Sequence, residues 1–250
     1  MTDAGAGWSI EDTRAHVRVP TDADDKYSRG VVGLRTGSED YPGAAVLGVE
    51  GAWRTGVGMV RYVGPERPTG LVLQRRPETV TVDGRVQAWV IGSGTDAATR
   101  SAEETAALRG ILSGTVPVVV DAGALDLAVG AAAPRLVTPH GREHVALRTL
   151  LGLPAGDGGA DAVRETAAAL GAVVLLKGAT TIVADPSGWT ATVSAASSGG
   201  DLGPVAATGA WLHGRAAVLA AGSRYGGRPI TALDVAEALP RAVAEAITGS

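Results

Sequence analysis

The sequence predicts an α/β fold, a three-layer α/β/α sandwich around a mostly parallel central sheet, and three observations lead there. Valine-rich runs such as VPVVV and AVVLL read as strands buried on both faces, which is how the strands of parallel sheets read. Strand-like runs alternate with helical stretches, as β-α-β crossovers require. Glycine-bearing loops recur just after the predicted strands, where a chain must turn tightly into the next element.

Residues 30–36 (GVVGLRT) read as a short buried strand, followed by a polar loop over 37–43 and the apolar run AAVLGVEGAWRTG. In that run Ala45, Val49, Ala52 and Trp53 share one helical face, and Gly56 and Gly58 close the helix before the strand MVRYVG. The pattern repeats through LVLQR, a strand-like TVTVDG, the strand VQAWVIG, a helix over 97–112 and the strand VPVVVDAG. RLVTPH leads into helices over 142–151 and 159–170, then into AVVLLKG. TTIVADP and WTATVSA read as a hairpin-like pair, and a glycine-rich stretch, SAASSGGDLG, leads to a helix over 205–221. The last helix, ITALDVAEALPRAVAEAI, has Thr231 as its N-cap and is expected to kink at Pro240. No linker interrupts the chain, so residues 1–250 are read as a single domain with an N-terminal extension over 1–25.

An apolar fraction of 45% in 250 residues is ample for a large core. With 22 basic against 26 acidic residues, and no long run of either sign, nucleic acid is not an expected partner. The absence of cysteine excludes disulfides, thiolate metal sites and thiol nucleophiles. The first twenty residues contain no apolar signal-like core and no run is long enough to span a bilayer, which reads as a cytoplasmic protein without membrane contact.

TGSEDYPGA, IGSGTDA and DAGALD each follow a predicted strand, the end at which open α/β sheets bind ligands. Glycine there lets backbone N–H groups approach an anion, and the next helix adds its dipole. Asp121, at a strand tip, suits a sugar hydroxyl, a magnesium ion or a helix cap, the cap being the simpler reading. Thr138, Pro139 and His140, with Glu143 three residues on, resemble a helix start, and His140 is either a capping residue or a ligand contact. Lys177 is one of two lysines, the other being Lys26, and its place after a buried strand fits a phosphate partner. His213 reads as a helix-packing histidine. Neither a Walker A loop, a G-x-G-x-x-G fingerprint nor a G-x-S-x-G elbow occurs, and the four histidines lack metal-ligand spacing.

The ordered set KYSRGVVGLRTGSEDYPGAA, GAWRTGVGMVRYV, VIGSG, VVVDAGALD, LVTPHGRE, LLKGATT and GAWLHGRAA resembles the ADP-dependent (S)-NAD(P)H-hydrate dehydratases, over about residues 10–247. That resemblance implies a ribokinase-like fold and the removal of water from the S epimer of hydrated NADH or NADPH, with ADP (or ATP) and magnesium as cofactors. It implies that Ala44, Ala45, Gly92, Gly94 and His140 line the hydrated nucleotide. It implies that Lys177, Gly178, Ala179, Thr180 and Thr181 hold the phosphate of the adenine nucleotide. It further implies a homo-oligomer, commonly a tetramer, and an epimerase as a separate functional partner, since the chain leaves no room for a fused one.

The chain departs from the family pattern in several places. Its turns read GSGTD for GPGLG, DAGALD for DADALN, and HGRE for HPGE. The family's G-[ST]-GD-V-L-[AS]-G segment, which forms an anion hole and supplies the carboxylate thought to act as base, is not found between WTATVSA and AWLHG. Gly200 and Asp201 in SSGGDLG offer only a superficial substitute. Asp201 stands twelve positions before His213, whereas an anion-hole helix needs roughly fifteen residues plus connections. Asp201 is therefore read as a surface-loop residue, and no catalytic carboxylate is assigned. Two alternatives accompany this reading: a kinase of a small vitamin-precursor alcohol from the same superfamily, and a non-catalytic nucleotide-binding relative.

Overall fold

The computed structural model describes residues 7–193, 202–222, 227 and 229–249. Eight strands form one sheet in the order β2-β1-β3-β4-β5-β6-β7-β8. They are β1 (Val31–Arg35), β2 (Met59–Tyr62), β3 (Ala88–Ile91), β4 (Val118–Val120), β5 (Arg135–Val137), β6 (Val173–Leu176), β7 (Thr181–Ala184) and β8 (Thr190–Val193). The pairings from β2 to β6 are parallel. Strands β6, β7 and β8 pair antiparallel, as the hairpin-like reading of TTIVADP and WTATVSA required. From β1 the chain goes to β2 on one side and to β3 on the other, so a topological switch point lies between β1 and β3.

Alternate residues of each strand enter different cores, which is what makes three layers. Ile91, Val118, Val120, Val174 and Leu176 pack with Leu108, Leu147 and Val163. These last three belong to helices α4 (Ala102–Leu112), α5 (Gly141–Leu150) and α6 (Ala160–Leu170). On the other face Val119, Leu136, Val173 and Leu175 meet Ala206 and Ala207 of α7 (Leu202–Ala221). On that side Leu34 and Val90 also meet Ala45 and Val49 of α2 (Gly43–Arg54) and Val72 of α3 (Glu66–Arg75). The helix α8 (Ala232–Thr248) packs on α7 through Val235, Ala242 and Ala246.

Several expected boundaries move. LVLQR is the second half of α3, because Pro68 and Val72 recur at helical spacing as its buried face. TVTVDG makes only an isolated bridge, Val80 to Arg61. The helix expected from residue 97 starts at Ala102, where the Ser101 side chain accepts the N–H of Glu104. The next-to-last helix starts at Leu202 rather than 205, and Pro240 lies inside α8 without ending it. His213 of α7 is exposed, which corrects its reading as a packing histidine. The N-terminal stretch contains a helix, α1 (Ile10–His16), started by a Ser9/Asp12 capping box. Trp8 just before it stands edge-on to Trp189 at 5.8 Å.

Candidate active site

The carboxyl ends of β1, β3, β4, β5 and β6 lie along one edge of the parallel sheet, and their loops interlock. Gly37, after β1, donates its N–H to the carbonyl of Ser93, after β3, at 2.7 Å. Gly92 and Gly94 both have positive φ, +95° and +72°, a region that L side chains rarely adopt. A Cβ on Gly92 would stand 2.1 Å from the Asp121 carbonyl oxygen, and one on Gly94 would stand 2.3 Å from the Ala44 Cβ. The tips therefore close on one another only because these residues lack side chains.

Asp121 is the polar centre of these tips. It occupies the N-cap position of the short 3-10 helix Ala122–Ala128, yet its side chain makes no capping bond, which corrects the capping reading. Its Oδ2 accepts from Ser93 Oγ at 2.9 Å. Its Oδ1 accepts from Thr138 Oγ1 at 2.9 Å and from Lys177 Nζ at 2.6 Å. Burial pushes this carboxyl group up, but the hydrogen bond and charge of Lys177, with the two hydroxyls, outweigh it and hold Asp121 below the usual carboxylate range. It is therefore ionised at neutral pH.

The ammonium of Lys177 thus faces a carboxylate of the chain itself, where the sequence suggested phosphate alone. Lys177 also donates its backbone N–H to the Pro139 carbonyl at 2.8 Å, and a β-bridge to His140 brings the HGRE and KGATT motifs side by side. Residues 177–180 are exposed, and Thr181 opens β7. His140 caps α5: its Nδ1 accepts the Glu143 N–H at 3.2 Å, while its own backbone N–H donates to Glu143 Oε2 at 2.8 Å. Its ring remains exposed.

Of the alanines expected to line a ligand, Ala44 is half-buried against Gly94. Ala45 is fully buried with Leu34 and Val49, just beneath Gly37, so its side chain offers no exposed surface to a ligand. Gly200 and Asp201 lie outside the described residues.

A cavity of about 600 Å³ opens at the switch point, lined among others by Gly37, Tyr41, Pro65, Thr95, Asp96 and Glu104. Arg35 forms one wall, clamped by Glu104 with Nη2 to Oε2 at 2.6 Å. The departures at Thr95, Gly123 and Asp126 belong together here. A Cβ on Gly123 would stand 2.3 Å from the Thr95 carbonyl oxygen, and Asp126 pairs with Arg100 at 2.7 Å, while Arg100 also donates to the Gly123 carbonyl. Glycine admits the GSGTD turn, and Asp126 holds the arginine that follows it.

Among the described residues no group of three or more histidine, aspartate or glutamate side chains could hold a metal ion. Asp121, the carboxylate at the tips, is already engaged by three donors.

A sequence profile described as NAD(P)H-hydrate dehydratase matches residues 32–203. The chain belongs to this family. The bifunctional NAD(P)H-hydrate repair enzyme Nnr of Mycobacterium tuberculosis is 43% identical over 196 residues, covering 73% of this chain and 39% of that protein. The chain thus spans well under half the length of that relative. The ADP-dependent (S)-NAD(P)H-hydrate dehydratase of Bacillus subtilis is 30% identical over 198 residues, covering 72% of this chain and 70% of that one. A crystal structure of the B. subtilis ADP/ATP-dependent enzyme, co-crystallised with ATP and Mg2+, superposes with a TM-score of 0.80 at 25% identity, covering 96% of this chain and 98% of that one. A ribokinase-like superfamily protein of Enterococcus faecalis shares the fold, with a TM-score of 0.79 at 19% identity over 97% of this chain and 96% of that one. The ribokinase-like α/β/α architecture expected from the sequence is the architecture of this hydrate dehydratase family member.

Ser93 escaped sequence reasoning. Its only signal was its place between two glycines at a strand tip, and nothing local says that its hydroxyl faces Asp121, 28 residues away. Thr138 was noticed only as part of a helix start, yet its hydroxyl bonds the same carboxylate.

Proposed function

We propose that this chain dehydrates the S epimer of hydrated NADH or NADPH at the expense of ADP, a hydro-lyase activity that repairs the cofactor. The observation that carries the reading is the Lys177 ammonium, standing with Asp121, Ser93 and Thr138 at the tips of neighbouring parallel strands in a chain of this family. In this reading Lys177, Gly178, Ala179, Thr180 and Thr181 hold the nucleotide phosphates by charge and exposed backbone. Ala44, Gly92, Gly94 and the exposed ring of His140 line the hydrated nicotinamide.

The chemistry asks for positioning and charge neutralisation. Transfer of the terminal phosphoryl group of ADP to the hydrate hydroxyl yields AMP and a phosphate ester. The ring nitrogen lone pair then expels inorganic phosphate, and loss of a proton restores the double bond. Lys177 neutralises charge on the transferring group, and the glycine loops exclude bulk. Magnesium on the diphosphate supplies further neutralisation when bound. ATP in place of ADP, a cytoplasmic setting, a tetrameric homo-oligomer and a separate epimerase that supplies the S epimer complete the proposal.

The test is to incubate the purified protein with hydrated NADH, ADP and magnesium and to follow the absorbance of the reduced nicotinamide. Its recovery is expected; folded protein that gives none overturns the assignment. One observation favours a second reading, a relative that binds adenine nucleotide without catalysis: the family's G-[ST]-GD-V-L-[AS]-G segment has no counterpart between β8 and AWLHG. Tight ADP binding without absorbance recovery is the outcome that reading expects.

A further inference from the structure

We propose that Asp121 is the positioning residue for Lys177: it anchors the ammonium over the tips of β4 and β5 so that the remaining N–H donors are set for a phosphoryl oxygen. The proposal rests on the nucleotide reading above and adds a residue outside the 177–181 stretch.

Lys177 follows β6, Thr138 follows β5 and Asp121 follows β4, so the lysine stem crosses one whole strand tip to place Nζ 2.6 Å from Asp121 Oδ1. An ammonium carries three donors and no acceptor. Asp121 takes one of them, and with the Lys177 side chain 42% exposed the others are open to solvent, where a ligand can reach them.

Asp121 is itself fixed from both flanks, by Ser93 from β3 and Thr138 from β5. Three strand tips thus immobilise one carboxylate whose outward partner is the lysine. Fold stability alone gives little reason for this, because ion pairs open to solvent contribute little. Ligand binding gives a better one: a free lysine stem would have to be ordered by the ligand at a cost in affinity, whereas an anchored one is ordered beforehand. The arrangement also interposes a cation between Asp121 and an incoming phosphate, which a bare carboxylate would repel. With both oxygens already accepting from three donors, Asp121 has little proton affinity left for the work of a base.

The chain has only two lysines, Lys26 and Lys177, so protein labelled with 13C and 15N in lysine alone reports directly on the ammonium. On titration of the full-length protein with ADP, the Lys177 side-chain resonances, assigned by their loss in Lys177→Met, are expected to move while those of Lys26 stay in place. Asp121→Asn and Lys177→Met are each expected to weaken ADP binding by about tenfold, the scale of one charge-assisted hydrogen bond, and the double variant no further. An isosteric Asp121→Asn that binds ADP as well as wild type, a double variant whose loss is the product of the two single losses, or a Lys177 signal indifferent to ADP overturns the proposal. If Asp121→Asn fails to fold, the wild-type titration and the Lys177→Met affinity decide the matter.

Recovery of NADH from its hydrate is read in parallel. Lost recovery with the Asp121–Lys177 coupling intact sinks the repair assignment alone. Recovery without coupling sinks this inference alone.

Discussion

Glu50 shows how far a single residue depends on its neighbours. Its carboxylate has no exposed surface, and it receives Arg54 at 2.8 Å, Arg76 at 2.6 Å and Arg75 at 3.4 Å. Burial pushes its pKa up, but the hydrogen bonds from Arg76 and Arg54 reverse this and bring it down to about 2, against an ordinary 4.5. A carboxyl group with a depressed folded-state pKa contributes stability that is complete above its ordinary pKa and fades as pH falls toward the folded value. Glu50→Gln is therefore expected to cost about 2 kcal/mol at neutral pH, less than a fully enclosed pair because the arginines stay partly hydrated. Chemical denaturation of the two proteins across pH checks this: the difference should hold above pH 4.5 and shrink toward pH 2. Asp121 teaches the same lesson about legibility. Local rules favoured a cap, but donors 28, 17 and 56 residues away claimed its oxygens, and no local rule counts them.

Elements were more legible than residues, because periodicity and caps are local. The PHGRE stretch announced the start of α5, and the structure has His140 and Glu143 capping each other there. Glu143→Ala removes one half of that box and is expected to cost about 1 kcal/mol. Hydrogen exchange should show faster opening of the first turn of α5 and unchanged protection in β6. Equal protection throughout the first turn would count against the cap as the element that holds His140 beside Lys177. LVLQR gives no type by itself for a physical reason: five residues are too few to separate period 2 from period 3.6, and only the buried Pro68 and Val72 of the same helix decide it.

At the scale of the molecule, one eight-stranded sheet carries helices on both faces, α8 joins it through α7 and α2, and α1 packs back through Trp8, Trp189 and α7. We propose from this that the chain unfolds as one unit, and scanning calorimetry should show a single transition whose calorimetric and van't Hoff enthalpies agree. Two resolved transitions would divide the chain into separate domains. Buried valine runs and helical periodicity by themselves determined the α/β class, most of the strands and the glycine-bearing loops at their ends, because those features depend on neighbours within a few residues. Which tips meet, that Asp121 turns to Lys177, and that Ala45 is fully buried were decided only by the tertiary structure. Strand order and loop packing set those contacts, and they join residues that are distant along the chain.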